Sequence, residues 1–138
     1  MSPLVIDCSV TMPWCFANET TEYSEAVLDA VVHESAVAPA LWALEVANVL
    51  ATSLRKKALT SAKVGKFRDL LQRLHVRLEV QDQDCVLKAV LDLARKHRLT
   101  SYDAAYLEVA ARLKLPLASL DKELLAAARA DGVDVFAG

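Results

Sequence analysis

Four carboxylates stand at positions where α/β proteins commonly bind ligands. Asp7 directly follows one short apolar run, and Asp121 follows another. Glu45 and Asp103 lie near the starts of two segments with helical periodicity. The carboxyl ends of parallel strands and the first turns of the helices that follow them meet at one edge of a sheet, so these four side chains can converge.

Converging carboxylates have a chemical consequence. They repel one another and take up protons unless cations neutralise them. Hard divalent cations prefer oxygen ligands, and Mg²⁺ keeps several waters and needs few protein carboxylates. A site of this kind can activate a water and stabilise the charge that builds on a phosphodiester. The pattern therefore favours metal-assisted phosphodiester hydrolysis.

Each carboxylate also has a simpler structural explanation. Asp7 could form a turn with Ser9, and Asp121 could cap the last helix. Glu45 and Asp103 could complement the dipole of the helix in which each lies. The combination, rather than any single member, favours a functional site.

The chain alternates between short strand patterns and longer helical ones. Apolar or alternating runs predict strands at 3–6, 36–38, 76–80, 117–120 and 133–136. Apolar residues at three- and four-residue spacing predict helices at about 23–33, 41–57, 61–74, 84–97, 102–113 and 123–130. Strands that alternate with helices predict an α/β fold with a mainly parallel sheet of roughly five strands, covered on both faces.

Length, composition and charge limit the classes of function. A chain of 138 residues suits one domain, 1–138, and its 54% hydrophobic content excludes a disordered protein. The formal net charge of -2 gives no bulk attraction for nucleic acid, so RNA contact needs a local basic patch or bound cations. Arg55, Lys56 and Lys57 are candidates for such a patch, although they could simply complement the dipole at a helix end.

Several other site types are disfavoured. Three cysteines without a C-x-x-C pair argue against a disulfide framework or a structural zinc site, and they suit a reducing compartment. Three glycines supply no phosphate-binding loop. We see no signal peptide and no membrane-spanning run, so we expect a soluble cytoplasmic protein. Cys8 is predicted to be a small buried residue and not a nucleophile. Tyr102 and Tyr106 could pack against each other or line a dimer face, and we favour packing.

The acidic residues lie in four segments that resemble the motifs of PIN-domain nucleases, and closely those of VapC-type toxins from bacterial toxin–antitoxin pairs. In chain order the segments are 5–10 (VIDCSV), 39–50 (PALWALEVANVL), 99–106 (LTSYDAAY) and 115–124 (LPLASLDKEL). Each motif alone is weak. Four motifs in the same order across the chain are specific.

The resemblance implies a PIN-like three-layer α/β/α sandwich, an acidic pocket that binds Mg²⁺ or Mn²⁺, and endonucleolytic cleavage of RNA. It implies that the catalytic and metal-binding residues are Asp7, Glu45, Asp103 and Asp121, the last of them acting directly or through water. Ser9 and Asn48 would hold the carboxylates or waters in place. The implied partners are the RNA substrate, a cognate antitoxin protein and a second copy in a homodimer.

Two other functions compete with this interpretation. One is a catalytically silent PIN-like module that binds RNA or a regulator. The other is a phosphotransfer protein of similar architecture. A phosphatase with an aspartyl nucleophile would want a second aspartate two residues after Asp7, where this chain has Ser9.

Overall fold

A parallel β-sheet lies at the centre of the computed structural model, which describes residues 2–138. Its strands are β1 (Leu4–Ile6), β2 (Ala36–Pro39), β3 (Arg77–Glu79) and β4 (Leu117–Ala118). Their spatial order is β3-β2-β1-β4, and every pairing is parallel. The predicted α/β fold with a parallel sheet flanked by helices is confirmed.

The burial of the strands follows from their composition. Every residue of β1 and β2 is buried, as expected for apolar strands covered on both faces. At the centre, Val5 pairs with Val37 on one side and with Leu117 on the other. β3 lies at an edge and is largely exposed. Asp7 therefore emerges near the middle of the carboxyl edge of the sheet.

The helices largely match the predicted segments. In chain order they are α1 (Cys8–Thr11), α2 (Glu22–Glu34), α3 (Leu41–Arg55), α4 (Ser61–Leu74), α5 (Gln83–Cys85), α6 (Leu91–His97), α7 (Ser101–Leu113) and α8 (Lys122–Ala130). Short 3₁₀ turns occupy Met12–Trp14 and Ala17–Glu19, and a π-helical turn, Val86–Val90, separates α5 from α6. The bounds of α4 are those predicted, and the Thr60 side chain caps it by accepting the Lys63 amide at 3.2 Å.

The predicted fifth strand is wrong. Within residues 2–138 the sheet has four strands, and the segment after Gly132 forms only an isolated parallel bridge between Leu117 and Val135. Two hydrogen bonds hold it, one from the Leu117 amide to the Asp134 carbonyl and one from the Phe136 amide to the Leu117 carbonyl, each 2.9 Å long. β4 ends after two residues, so a longer partner would have no backbone to pair with.

The core lies between the sheet and the helices packed on it. Val27 of α2, Val46 of α3, Leu107 of α7 and Leu124 of α8 are all buried in one apolar cluster with β1. No helix within residues 2–138 has the length and apolar character needed to cross a membrane.

Asp131, which follows α8, joins the end of α8 to the end of α6. Its Oδ1 accepts hydrogen bonds from Lys96 Nζ at 2.8 Å and from His97 Nε2 at 2.9 Å. These two donors, Lys96 first, lower the pKa of the Asp131 carboxyl below its usual value of 3.8. The carboxylate therefore stabilises the fold above the unfolded-state pKa, and that contribution is lost as the pH falls through the lower folded-state pKa.

Asp131→Asn should accordingly destabilise the protein at neutral pH by about 1–2 kcal/mol, the usual cost of losing hydrogen bonds to a charged group. Urea unfolding would measure the free energy of unfolding, with the exposed Asp69→Asn as control. The difference from wild type should disappear in strong acid. A difference that persists there would assign the effect to helix termination and not to charge.

Candidate active site

Asp7 is held in place where β1 meets α1. Its Oδ1 caps α1 by accepting the Val10 amide at 3.1 Å, and it also accepts the Ser9 hydroxyl at 2.7 Å. The side chain is buried, with 5% exposure. A buried carboxylate needs these hydrogen bonds to offset its lost hydration.

Ser119 joins the end of β4 to Asp7. Its hydroxyl donates to Asp7 Oδ2 and accepts the Asp121 amide at 2.9 Å. In parallel, the Ser9 hydroxyl accepts the Leu120 amide at 2.8 Å. We did not predict Ser119 from the sequence, although Ser119-x-Asp121 reverses the order of Asp7-x-Ser9 and could have indicated it.

The backbone of Asp7 is anchored to α3. Thr11 Oγ1 donates to the Asp7 carbonyl at 2.7 Å and accepts Trp42 Nε1–H at 3.0 Å. Thr11 and Trp42 are both buried. These bonds explain how a four-residue helix that we did not predict is stable here, because side chains supply contacts that its own backbone cannot.

Glu45 is oriented by Tyr106, which reaches it from α7. The Tyr106 hydroxyl donates a short hydrogen bond to Glu45 Oε1, and the Tyr106 ring is fully buried. Asn48, expected to support this site, is exposed, and it is Tyr106 that donates to Glu45. Tyr102 is 63% exposed, so the two tyrosines occupy different surroundings.

Asp103 and Asp121 lie at the starts of α7 and α8. Thr100 caps α7 by accepting the Asp103 amide at 3.1 Å, which places Asp103 in the first turn. Asp121 caps α8 by accepting the amides of Glu123 at 2.9 Å and Leu124 at 3.0 Å. The capping explanation for Asp121 is therefore correct, and the same residue still lies beside Ser119.

Burial and mutual repulsion shift the acidities of these groups. The pKa of Asp7 is raised to about 6, mainly because the carboxyl is buried. The hydrogen bonds from Ser119, Ser9 and Val10 lower this pKa, and the charge of Asp103 raises it. Burial also raises the pKa of Asp103, as does the neighbouring charge of Asp121. Asp103 is thus near enough to repel both Asp7 and Asp121.

Cys8 is a half-buried thiol, less buried than predicted. Burial, followed by the charges of Glu45 and Asp7, raises its pKa to about 12. The thiolate is the reactive form of cysteine, so this residue is poorly suited to act as a nucleophile at neutral pH. Its response to Glu45 also places that carboxylate on the same side of the site as Asp7.

The carboxylate oxygens of the site suit a hard cation in type, but few of them can contact one ion. Carboxylate oxygens are the ligands that Mg²⁺ and Mn²⁺ prefer. Asp7 Oδ1 already accepts two hydrogen bonds, whereas Oδ2 accepts only the Ser119 hydroxyl and keeps lone-pair capacity. Within residues 2–138, however, no group of three or more His, Cys, Asp or Glu side chains is arranged to hold a metal ion. The fit is therefore to an ion with one or two direct carboxylate ligands and several waters.

The predicted basic patch lies away from the carboxylates. Arg55, Lys56 and Lys57 are exposed at the end of α3, and Arg55 donates to Thr52 Oγ1 at 3.2 Å. With a rise of 1.5 Å per residue, Arg55 is about 15 Å along the helix axis from Glu45. These residues could meet RNA only at some distance from the acidic cluster.

Comparison with known proteins identifies the family of this chain. The model of the family described as PIN domain matches residues 4–130. The chain belongs to the PIN domain family. It is 31% identical over 123 residues to ribonuclease VapC3 of Pyrobaculum aerophilum, covering 88% of this chain and 91% of that protein. The VapC-type resemblance drawn from the four motifs is confirmed.

A solved structure gives the same fold. The crystal structure of PAE2754 from Pyrobaculum aerophilum superposes on this PIN domain with a TM-score of 0.69, covering 91% of this chain and 79% of that one. The two sequences are 23% identical, so the likeness concerns the fold alone.

Proposed function

We propose that this PIN domain protein is a metal-dependent endoribonuclease, the toxin component of a toxin–antitoxin pair. The observation that carries the proposal is the buried Asp7 carboxylate, held between two serine hydroxyls at the carboxyl edge of the sheet. Asp103 lies near enough for its charge to act on Asp7, and the charge of Asp121 acts on Asp103. The similarity to a protein named ribonuclease VapC3 supports the same activity.

In this proposal the metal-binding and catalytic residues are Asp7, Glu45, Asp103 and Asp121, of which one or two contact the ion directly and the others act through its waters. The ion, Mg²⁺ or Mn²⁺, supplies a Lewis acid that makes water more acidic and neutralises charge on the phosphodiester. Ser9 and Ser119 fix the Asp7 carboxylate, and Tyr106 fixes that of Glu45. Asn48 keeps its expected role of holding a water. The basic residues 55–57 contact RNA at a distance from the acidic cluster.

The partners follow from the same proposal. The substrate is RNA, the inhibitor is a cognate antitoxin protein, and the active form is a homodimer in the cytoplasm. The free thiols of Cys8, Cys15 and Cys85 are compatible with a reducing compartment.

A cleavage assay tests the proposal. The purified chain, freed of any co-purifying partner, is incubated with end-labelled structured RNA in Mg²⁺, in Mn²⁺ or in a chelator. We expect cleavage with metal only, and none by Asp103→Asn. The exposed Asp92→Asn is the matched control and should cleave normally. Cleavage by the purified chain that needs no metal and survives Asp103→Asn, while a mock purification shows none, would contradict the proposal.

A second candidate is a PIN module that binds RNA or a regulator without cleaving it. The lack of a three-ligand metal arrangement among residues 2–138 favours it. It predicts RNA binding that is unchanged by chelator, with no product at any metal concentration. The same gel, run beside a binding titration, separates the two functions.

A further inference from the structure

A cavity of about 830 Å³ opens beside the candidate active site. One of its walls is Ser119, whose hydroxyl donates to Asp7. The cavity therefore borders the acidic cluster through Ser119, although none of the four carboxylates lines it. The volume lies within the range of about 300–1,000 Å³ that ligand pockets usually have.

One face of α8 supplies positive charge to this cavity. Lys122, Leu125 and Arg129 line it at three- and four-residue spacing, which places them on one side of the helix. Both cationic side chains are exposed, and neither forms a salt bridge with another residue in the described range 2–138. Asp134 adds one negative charge to the lining.

The opposite wall is apolar and aromatic. The rings of Tyr23 and Phe136 lie 6.2 Å apart, centroid to centroid, and the Tyr23 hydroxyl donates to the Phe136 carbonyl at 2.8 Å, which fixes the ring. Burial raises the pKa of the Tyr23 phenol, and the charges of Asp7 and Arg129 act on that pKa in opposite directions. The Tyr23 ring and the cationic residues of α8 thus line the same cavity.

We propose that this cavity is a subsite for one nucleotide of single-stranded RNA, adjacent to the phosphodiester that is cleaved at the acidic cluster. Lys122 and Arg129 contact its phosphates, and its base lies on Tyr23 and Phe136. This inference rests on the proposed function. A carboxylate cluster repels a polyanion, so a strand that crosses it needs neighbouring cations to hold it. Aromatic rings beside a cationic groove are the usual surface for unpaired bases.

Binding without cleavage tests the subsite. Fluorescence anisotropy with short labelled oligouridylate and oligoadenylate, in chelator, would compare wild type with Lys122→Gln, Arg129→Gln and the control Arg95→Gln. Arg95 is exposed on α6 and does not line the cavity. Each cavity variant should bind several-fold to about tenfold more weakly than the control, and each should reduce the slope of log affinity against log salt by about 0.7. Equal binding by all three variants would overturn the proposal.

Photocrosslinking shows where the oligonucleotide binds, independently of its affinity. A 4-thiouridine oligonucleotide should crosslink to peptides that contain Tyr23 or Phe136, as read by mass spectrometry. Crosslinks confined to other peptides would overturn the assignment. The proposal would also be overturned if a hexaglutamate peptide bound through Lys122 and Arg129 while RNA did not bind at all. That result would indicate an acidic peptide ligand. No metal is present and no cleavage is measured, so these outcomes do not depend on whether wild type cuts RNA in the nuclease assay.

Discussion

Replacing Asp7 with asparagine should abolish RNA cleavage and should also stabilise the metal-free protein at neutral pH. Cleavage should fall by at least about 1,000-fold, because the variant loses a charged ligand of the ion that neutralises the reacting phosphate. The fold should survive, because asparagine also caps helices and its amide can meet the hydroxyls of Ser9 and Ser119.

The gain in stability follows from the sign of the pKa shift. Burial raises the pKa of Asp7 from 3.8 to about 6, so the folded state disfavours the charged carboxylate. Between these two values the metal-free wild type loses stability as the pH rises, by about 1–3 kcal/mol in total. An asparagine side chain does not titrate, so Asp7→Asn avoids this loss. Urea unfolding at neutral pH and at pH near 4 should show the difference shrinking in acid.

Two controls separate the effects of Asp7→Asn. The exposed Asp92→Asn should change neither cleavage nor stability. Added Mn²⁺ should stabilise wild type by mass action but leave Asp7→Asn unchanged. A variant that still cleaves RNA would remove Asp7 from the site. A variant that is less stable at neutral pH would mean that the Asp7 carboxylate gains more from its hydrogen bonds than it loses by burial.

Tyr106→Phe should weaken metal binding and catalysis while leaving the fold nearly intact. Phenylalanine keeps the buried ring but removes the hydroxyl that donates to Glu45 Oε1. Groups that orient a metal ligand typically contribute about 10- to 100-fold to metal affinity or activity. The loss of one hydrogen bond should cost only about 1 kcal/mol of stability. Mn²⁺ affinity, measured by calorimetry, and kcat/KM should therefore fall much more than the melting temperature.

A double-mutant cycle tests whether Tyr106 acts through Glu45. If it does, Tyr106→Phe should have little further effect on Mn²⁺ affinity once Glu45→Gln is present. Tyr102→Phe is the matched control, because that ring is 63% exposed near the start of the same helix. Additive effects in the cycle would instead assign Tyr106 a packing role.

The sequence predicted the elements better than the contacts between them. Helical periodicity gave α4 with its cap at Thr60, because an apolar stripe and a capping threonine are local signals. The predicted strand over 133–136 was wrong because its length depends on β4. That strand ends after two residues, where Ser119 donates its hydroxyl to Asp7. No local pattern reveals how long a partner strand is.

The same division applies to the site. Asp7, Glu45, Asp103 and Asp121 could be proposed from their places after strands and at helix starts. Ser119 and Tyr106 were missed as site residues, because their importance lies in partners 112 and 61 residues away in the chain. A serine near a strand end and a tyrosine inside an apolar helix have ordinary surroundings until the fold brings them to a carboxylate.

The place of β1 in the sheet bears on when the candidate site can form during synthesis. Val5 pairs with Leu117, and the Asp7–Ser119 bond spans 112 residues, so β1 is made well before these partners. At about 5–20 residues per second, a ribosome needs roughly 6–22 s to produce that partner. Until then Asp7 lacks one of its hydroxyl donors and its strand lacks a neighbour. A nascent chain therefore cannot complete the hydrogen bonds around Asp7 until Ser119 has been synthesised, so the candidate site forms late in translation.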